Sequence, residues 1–181
     1  DIKILERYWY VAKGAKIGGK LVYEKYGIIG GNPQRRLKQW REWWDKKGRF
    51  NDNPLFKAKE IKKPQKSKLL AEFVGIMVGD GGITPAQVTI SLNSKTDLDY
   101  SRFVVRLIQK LFGVKPNVNF HKKFLVLRVT VSRVELVKFC KIIGLHIGNK
   151  LKQGLDIPMW IKKNEEFRKK CIRGLFDTDG C

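Results

Sequence analysis

Two stretches of this sequence, 99 residues apart, are variants of one helix. Phe73-Val-Gly-Ile-Met-Val-Gly-Asp80-Gly81 lies over Ile172-Arg-Gly-Leu-Phe-Asp-Thr-Asp179-Gly180, pairing Gly75 with Gly174, Asp80 with Asp179 and Gly81 with Gly180. A matched pattern at fixed spacing marks two copies of one unit. Small residues recur at i and i+4, Gly75 with Gly79 and Gly174 with Thr178, so each helix has a face that another backbone can approach closely. Gly81 and Gly180 are placed to end the helices. Asp80 and Asp179 then fall in the last turn, where a helix already carries partial negative charge. Two such ends side by side collect carboxylates and free carbonyls, which is costly without a cation, and hard oxygens of this kind suit Mg²⁺. A single Asp-Gly is an ordinary turn dipeptide. Its recurrence after matched apolar, glycine-containing helices is what points to chemistry.

The charge names the class of partner. Lys and Arg total 38 against 17 Asp and Glu, a net charge of +21, which points to a polyanion. Residues 1–50 hold 13 basic and 5 acidic side chains, residues 51–68 hold 6 and 2, residues 69–117 hold 5 and 4, and residues 118–181 hold 14 and 6. Basic character therefore brackets an apolar centre. The basic positions fall on short strands, a linker and mixed helices rather than on one wide amphipathic helix, which favours nucleic acid over a membrane surface. The longest apolar stretch, Phe73 to Val78, is too short to span a bilayer. No charged, apolar, small-residue leader opens the chain. Cys140, Cys171 and Cys181 lie too far apart for a disulfide framework or a structural zinc site. His121 and His146 are not spaced as metal ligands. The expected setting is cytoplasmic and nucleoid-associated, with no membrane.

Residues 1–48 read as a small all-α unit. The pattern predicts a helix from Asp1 to Lys13, an interruption at Gly14, Gly18 and Gly19, and a second helix from Lys20 to Tyr26 that stops at Gly27. Ile28 to Gly31 makes a turn. Asn32 caps a third helix with Pro33 at its first position, running to about Lys47. Leu37, Trp40 and Trp44 are expected to pack inward. This is the helix-turn-helix pattern, with Gln34, Arg35, Lys38 and Arg41 on the helix that enters a major groove. Residues 49–67, polar, basic and interrupted by proline, read as a linker.

Between the two motifs the periodicity alternates between strand and helix. Val88-Thr-Ile-Ser-Leu-Asn93 has period two. Asp97 to Phe112 is a helix, with Thr96 as cap and Gly113 at its end. Val118 and Phe120 alternate with Asn117, Asn119 and His121. After Lys122 and Lys123, Leu125, Leu127, Val129 and Val131 alternate with Arg128, Thr130 and Ser132. Ser132 to Ile143 is a further helix, closed by Gly144. Cys140 and Cys171 fall at buried helix positions.

The motifs Leu70-Ala-Glu-Phe-Val-Gly-Ile-Met-Val-Gly-Asp-Gly-Gly-Ile83 and Cys171-Ile-Arg-Gly-Leu-Phe-Asp-Thr-Asp-Gly180, the second preceded by Ile157-Pro-Met-Trp-Ile161, resemble the LAGLIDADG homing endonuclease family in its archaeal and intein-type branch. The resemblance covers about Leu69 to the end. It implies an α+β fold whose αββαββα half is an antiparallel sheet backed by helices, with a first repeat over 68–170 and the start of a second over 171–181. It implies Mg²⁺-dependent, staggered cutting of double-stranded DNA, each carboxylate serving mainly one strand. Asp80 and Asp179 are the implied catalytic acids, holding metal with the carbonyls of Gly79 and Thr178. Lys150 is carried over as the lysine near the active centre. The polar sheet face offers Thr89, Ser91, Asn93, Asn117, Asn119, His121, Arg128, Thr130 and Ser132 to bases and phosphates, with Lys95, Lys122 and Lys123 at strand ends.

A complete single-chain member continues with a second set of strands and helices, whereas this chain stops at Cys181. A shortened chain, a degenerate relative, and self-association that supplies the missing half are the alternatives. Other classes of function on the same fold are a non-cutting, sequence-specific DNA-binding regulator and an RNA splicing helper.

Overall fold

The computed structural model describes residues 9–27, 32–53, 57–121, 124–154 and 156–179. The chain divides into two units, Asp1–Lys57 and Ala58–Cys181.

The first unit contains helices α1 (Trp9–Tyr26) and α2 (Pro33–Lys46) and a short 3₁₀ turn, Gly48–Phe50. Here the structure corrects the sequence reading. One continuous α1 replaces the end of the first expected helix, its interruption and the second helix. Glycine in a helix costs only about 1 kcal/mol relative to alanine and breaks nothing unless a positive φ is required. Gly14, Gly18 and Gly19 meet no such requirement, whereas Gly27 does, with φ +69°. A β-carbon at Gly14 or Gly18 would find nothing within 4 Å. Gly18→Ala is therefore expected to stabilise α1 by about 0.5–1 kcal/mol, read as a gain of helical circular dichroism. Residues 1–8 and the turn at 28–31 lie outside the described residues.

Helix α2 starts as expected. Asn32 accepts hydrogen bonds from the Gln34 and Arg35 amides at 2.9 and 3.3 Å, and Pro33 opens the first turn. Of the three residues expected to pack inward, Trp44 is half-buried and lies against Gly48, while Leu37 and Trp40 are exposed. Leu37 and Trp40 are 48% and 54% exposed, and no residue of α2 is buried. Trp40 instead stacks on Trp44, with ring centroids 5.7 Å apart and planes 10° from parallel. Among the described residues of this unit, only Gly48 is buried.

The second unit carries a four-stranded antiparallel sheet, β1 (Gly81–Ile83), β2 (Val88–Asn93), β3 (Asn117–His121) and β4 (Val126–Val131), in the order β1-β2-β4-β3. Around it lie α3 (Lys68–Val78), α4 (Leu98–Phe112), α5 (Val134–Ile142), the short α6 (Lys150–Gln153) and α7 (Met159–Lys162), and α8 (Glu165–Asp179). Alternation along the strands puts Val88, Ile90, Leu92, Leu127, Val129 and Val131 in the core. There they join Phe73 and Ile76 of α3, Val104 and Phe112 of α4, and Leu136 and Cys140 of α5. Phe112 sits edge-on to Phe73 and Phe139, at 5.0 and 5.8 Å between centroids. Each fully buried side chain of this size contributes about 1.5–3 kcal/mol.

Local details differ from the sequence reading. Asp97, not Thr96, stands at the start of α4, its carboxylate accepting from the Asn93 amide and the Thr96 hydroxyl. Leu125 leaves the β4 alternation and takes φ +52° in the turn before that strand. Gly81 does not end α3. The helix stops at Val78 with Gly79 as its cap, and Gly81 opens β1, a strand the periodicity did not reveal. Its lack of a side chain has a packing cause, since a β-carbon there would lie 2.4 Å from the Met77 α-carbon. Only glycine lets the chain reverse so tightly onto the helix it has just left.

Candidate active site and nucleic-acid interface

The site begins with how α3 and α8 touch. A β-carbon on Gly75 would stand 2.0 Å from the Cys171 carbonyl oxygen, and one on Gly174 would stand 2.3 Å from the Glu72 carbonyl oxygen. The two backbones are thus in direct contact, and the contact is reciprocal between the repeats. The helices run parallel. Lys68 at the start of α3 bonds Glu166 at the start of α8 at 2.8 Å, and Glu72, one turn on, faces Lys170 and Arg173. Both helices therefore finish at the same end of the pair.

The end of α3 is electrostatically crowded. Its last carbonyls carry the negative pole of the helix, and Asp80 follows two residues later, half-buried. The Asp80 carbonyl accepts from the Ser91 amide at 3.1 Å, which ties the acid's backbone to the middle of the sheet. Lys150, at the start of α6, sends its ammonium onto this end. It donates to the carbonyls of Val78 at 2.9 Å, Met77 at 3.4 Å and Gly79. Three main-chain oxygens converging on one cation form a hard, oxygen-rich donor set, and Asp80 is the carboxylate next in the chain. That chemistry fits a divalent ion such as Mg²⁺. A carbonyl oxygen has two lone pairs, so the Gly79 carbonyl has acceptor capacity beyond Lys150.

At the end of α8, the Thr178 hydroxyl turns back to the carbonyls of Gly174 and Leu175 at 3.1 and 2.9 Å. Asp179 is the last residue of α8, and its side chain lies outside the described residues. Among the described residues, no three His, Cys, Asp or Glu side chains cluster as a metal site. A pocket of about 40 Å³ lies beside the α3 terminus, lined in part by Met77, Gly81, His146, Lys150 and Asp156. The Lys162 ammonium holds the Asp156 carboxyl below the usual range. The Ile157–Ile161 segment is scaffold. Trp160 donates to the Ile143 carbonyl at 2.9 Å, and Pro158 packs against Gly144, whose φ is +102°.

The sheet's outer face is polar, and the register arranges it in rows. Thr89, Thr130 and Asn117 form one cross-strand row, Ser91, Arg128 and Asn119 the next, and Asn93, Val126 and His121 the third. Asn93, Asn117, Asn119, His121 and Arg128 are exposed, and the Thr89 and Thr130 hydroxyls lie 3.4 Å apart. Ser132 follows β4 and Lys95 sits in the turn after β2, both exposed. Lys122 and Lys123 lie outside the described residues. In the first unit Gln34, Arg35, Lys38 and Arg41 are exposed on α2.

Sequence reasoning missed Glu72. It is 2% exposed in the α3–α8 interface, 3.5 Å from Arg173 and 3.9 Å from Lys170. An acid in the middle of an otherwise apolar helix was the available signal. Tyr100 of α4 was missed too. Burial, reinforced by the Asp177 and Glu72 carboxylates, holds its phenol well above the usual range.

Parallel helices packed through paired glycines, with α3 seated on an antiparallel sheet whose outer face is polar, define the class of fold. No family model matches the sequence. A curated protein, the replication factor C small subunit of Methanocaldococcus jannaschii, is 27% identical over 134 residues, which cover 64% of this chain and 7% of that protein. Among solved structures, mesophilic variants of the homing endonuclease I-DmoI are 19% identical with a TM-score of 0.41, covering 61% of this chain and 60% of theirs. I-DmoI in complex with DNA and Mn is 20% identical with a TM-score of 0.40, covering 61% of each chain. The chain thus spans a small fraction of the curated relative and under two thirds of the solved chains. Among the described residues no helix is long and apolar enough to cross a membrane.

Proposed function

We infer that this chain is the core of a LAGLIDADG-type DNA endonuclease that hydrolyses phosphodiester bonds in duplex DNA with Mg²⁺. The observation that carries the reading is the parallel, backbone-to-backbone pairing of α3 and α8, which brings the C-terminal ends of the two matched helices to one side. Asp80, Asp179 and the carbonyls of Gly79 and Thr178 would hold the ion, which supplies charge neutralisation and a more acidic water. The residues of the chain do the rest. Lys150 keeps positive charge at the α3 terminus, where it would face a phosphate. The rows headed by Thr89, Ser91 and Asn93 would meet base edges, while Lys95, Lys122, Lys123 and Arg128 take phosphates and set register. Gln34, Arg35, Lys38 and Arg41 on α2 add a second basic contact.

Internal symmetry indicates what completes the module. Phe73 and Met77 of α3 are buried under the sheet, at 0% and 2% exposure. Their counterparts in α8, Ile172 and Phe176, are 47% and 64% exposed. A second sheet over that face, from further chain or from self-association, would double the DNA-reading surface.

The test is incubation of the chain with varied duplex DNA, with and without Mg²⁺. Double-strand breaks that require Mg²⁺ are expected, and Asp80→Asn or Asp179→Asn should each abolish them while leaving salt-sensitive binding intact. Tight binding with no cutting under any divalent ion would mean a DNA-binding regulator. Preference for structured RNA over duplex DNA would mean a splicing helper.

A further inference from the structure

We propose that Glu72 makes the glycine-packed pairing heterotypic, admitting α8 to the face of α3 and excluding the α3 of a second copy of this chain. The two motif helices present the same small-residue face, so nothing in the glycines distinguishes α3 on α8 from α3 on α3. The distinction lies beside them. The Glu72 side chain is 3% exposed, and Arg173 and Lys170 of α8 stand 3.5 and 3.9 Å from its carboxylate. The Glu72 Oε1 atom accepts no hydrogen bond among the described residues, so these two cations are what compensates it. The 99-residue repeat shows what a homotypic pair would meet. The counterpart of Arg173 is Val74, the counterpart of Lys170 is Ala71, and the counterpart of Glu72 itself is Cys171.

In an α3–α3 pair, each Glu72 would therefore face Ala71 and Val74 of the other copy with no cation in reach. A carboxylate buried without a partner is strongly unfavourable, while the same carboxylate beside Arg and Lys is tolerated. A polar group that fits one pairing and is orphaned in the competing one is a specificity device. The consequence is that α3 takes an α8 as its partner and not another α3. Self-association through two α3 helices is excluded, which leaves surfaces such as the Ile172 and Phe176 side of α8. This inference concerns the pairing of helices and holds whether or not the chain cuts DNA.

The experiment frees α3 and then asks whether it pairs with itself. Gly174→Leu places a side chain where even a β-carbon would lie 2.3 Å from the Glu72 carbonyl, displacing α8. Light scattering after size exclusion should find the G174L chain monomeric and the E72V/G174L chain dimeric. Dimers of both, or monomers of both, would overturn the proposal. If circular dichroism shows that neither folds, charge exchange decides. E72R should shift the unfolding equilibrium about a hundredfold towards the unfolded state, and E72R/R173E should recover about tenfold or more of that loss. An E72R chain as stable as wild type, or a double variant no better than E72R, would equally refute it.

Discussion

Gly75→Ala is expected to prise α3 from α8. The added β-carbon would lie 2.0 Å from the Cys171 carbonyl oxygen and 3.0 Å from the Leu175 amide nitrogen. Both obstacles are main chain inside a helix, so no rotamer change relieves them, and the helix axes must separate. Separation opens a contact bounded by Cys171 and Glu72, 1% and 2% exposed. The expected loss is about 3 kcal/mol or more, at the upper end for overpacking, because backbone rather than side chain must yield. Gly174→Ala should cost a similar amount, and the pair should be non-additive because the first substitution already breaks the contact the second attacks. Urea unfolding measures the loss. Alkylation of Cys171 locates it, since burial raises that thiol to about 11 and shields it. Wild-type Cys171 should resist labelling and the Gly75→Ala chain should accept it. A variant that unfolds with wild type and stays unlabelled would show that the helices do not touch at this point.

Lys150→Met should have the second largest effect, on stability and cutting together. The ammonium serves the carbonyls of Met77, Val78 and Gly79 at the point where α3 is most negative. Methionine keeps the length of the side chain and removes charge and donors. Hydrogen bonds to charged groups contribute about 1.5–3 kcal/mol, and part of that should appear as a lowered unfolding midpoint. Cutting should fall at least about a hundredfold, in the range seen when one electrostatic stabiliser is removed from an active site. Lys150→Arg should hold charge without restoring full activity, because a planar guanidinium cannot address three converging carbonyls as a compact ammonium does. A Lys150→Met chain that unfolds early but cuts normally would assign the lysine to helix capping alone.

Most of what positions the site could be read from the residues. The Gly75–Gly174 and Asp80–Asp179 correspondences signalled paired helices, and the period-two runs placed Thr89, Ser91, Asn117, Asn119 and Arg128 on one face of β2, β3 and β4. Local codes with a single physical meaning were legible as well: the Asn32-Pro33 start of α2, and the left-handed ends at Gly27 and Gly113. What stayed hidden depended on packing. Gly14, Gly18 and Gly19 looked like breaks, yet a glycine reveals only that no side chain is present, not whether the backbone turns. Gly81 looked like a helix stop, and the Met77 backbone pressed against it is a tertiary fact. Trp40 and Leu37 looked like core residues, but periodicity gives a face and not what covers it. Glu72 needed partners distant in sequence, on α8, before its role had content, and Lys150, named from the resemblance, had no visible link to the carbonyls of α3 on which its ammonium rests.

The central claim, that Asp80 and Asp179 bind divalent ions together at the paired helix ends, is tested most directly by counting Mn²⁺ on the full chain through the spin resonance of the free ion. Wild type should take up Mn²⁺ at a site that Mg²⁺ displaces, and Asp80→Asn and Asp179→Asn should each weaken that uptake by tenfold or more, a loss of about 1.4 kcal/mol. Equal uptake by wild type and both variants would contradict it.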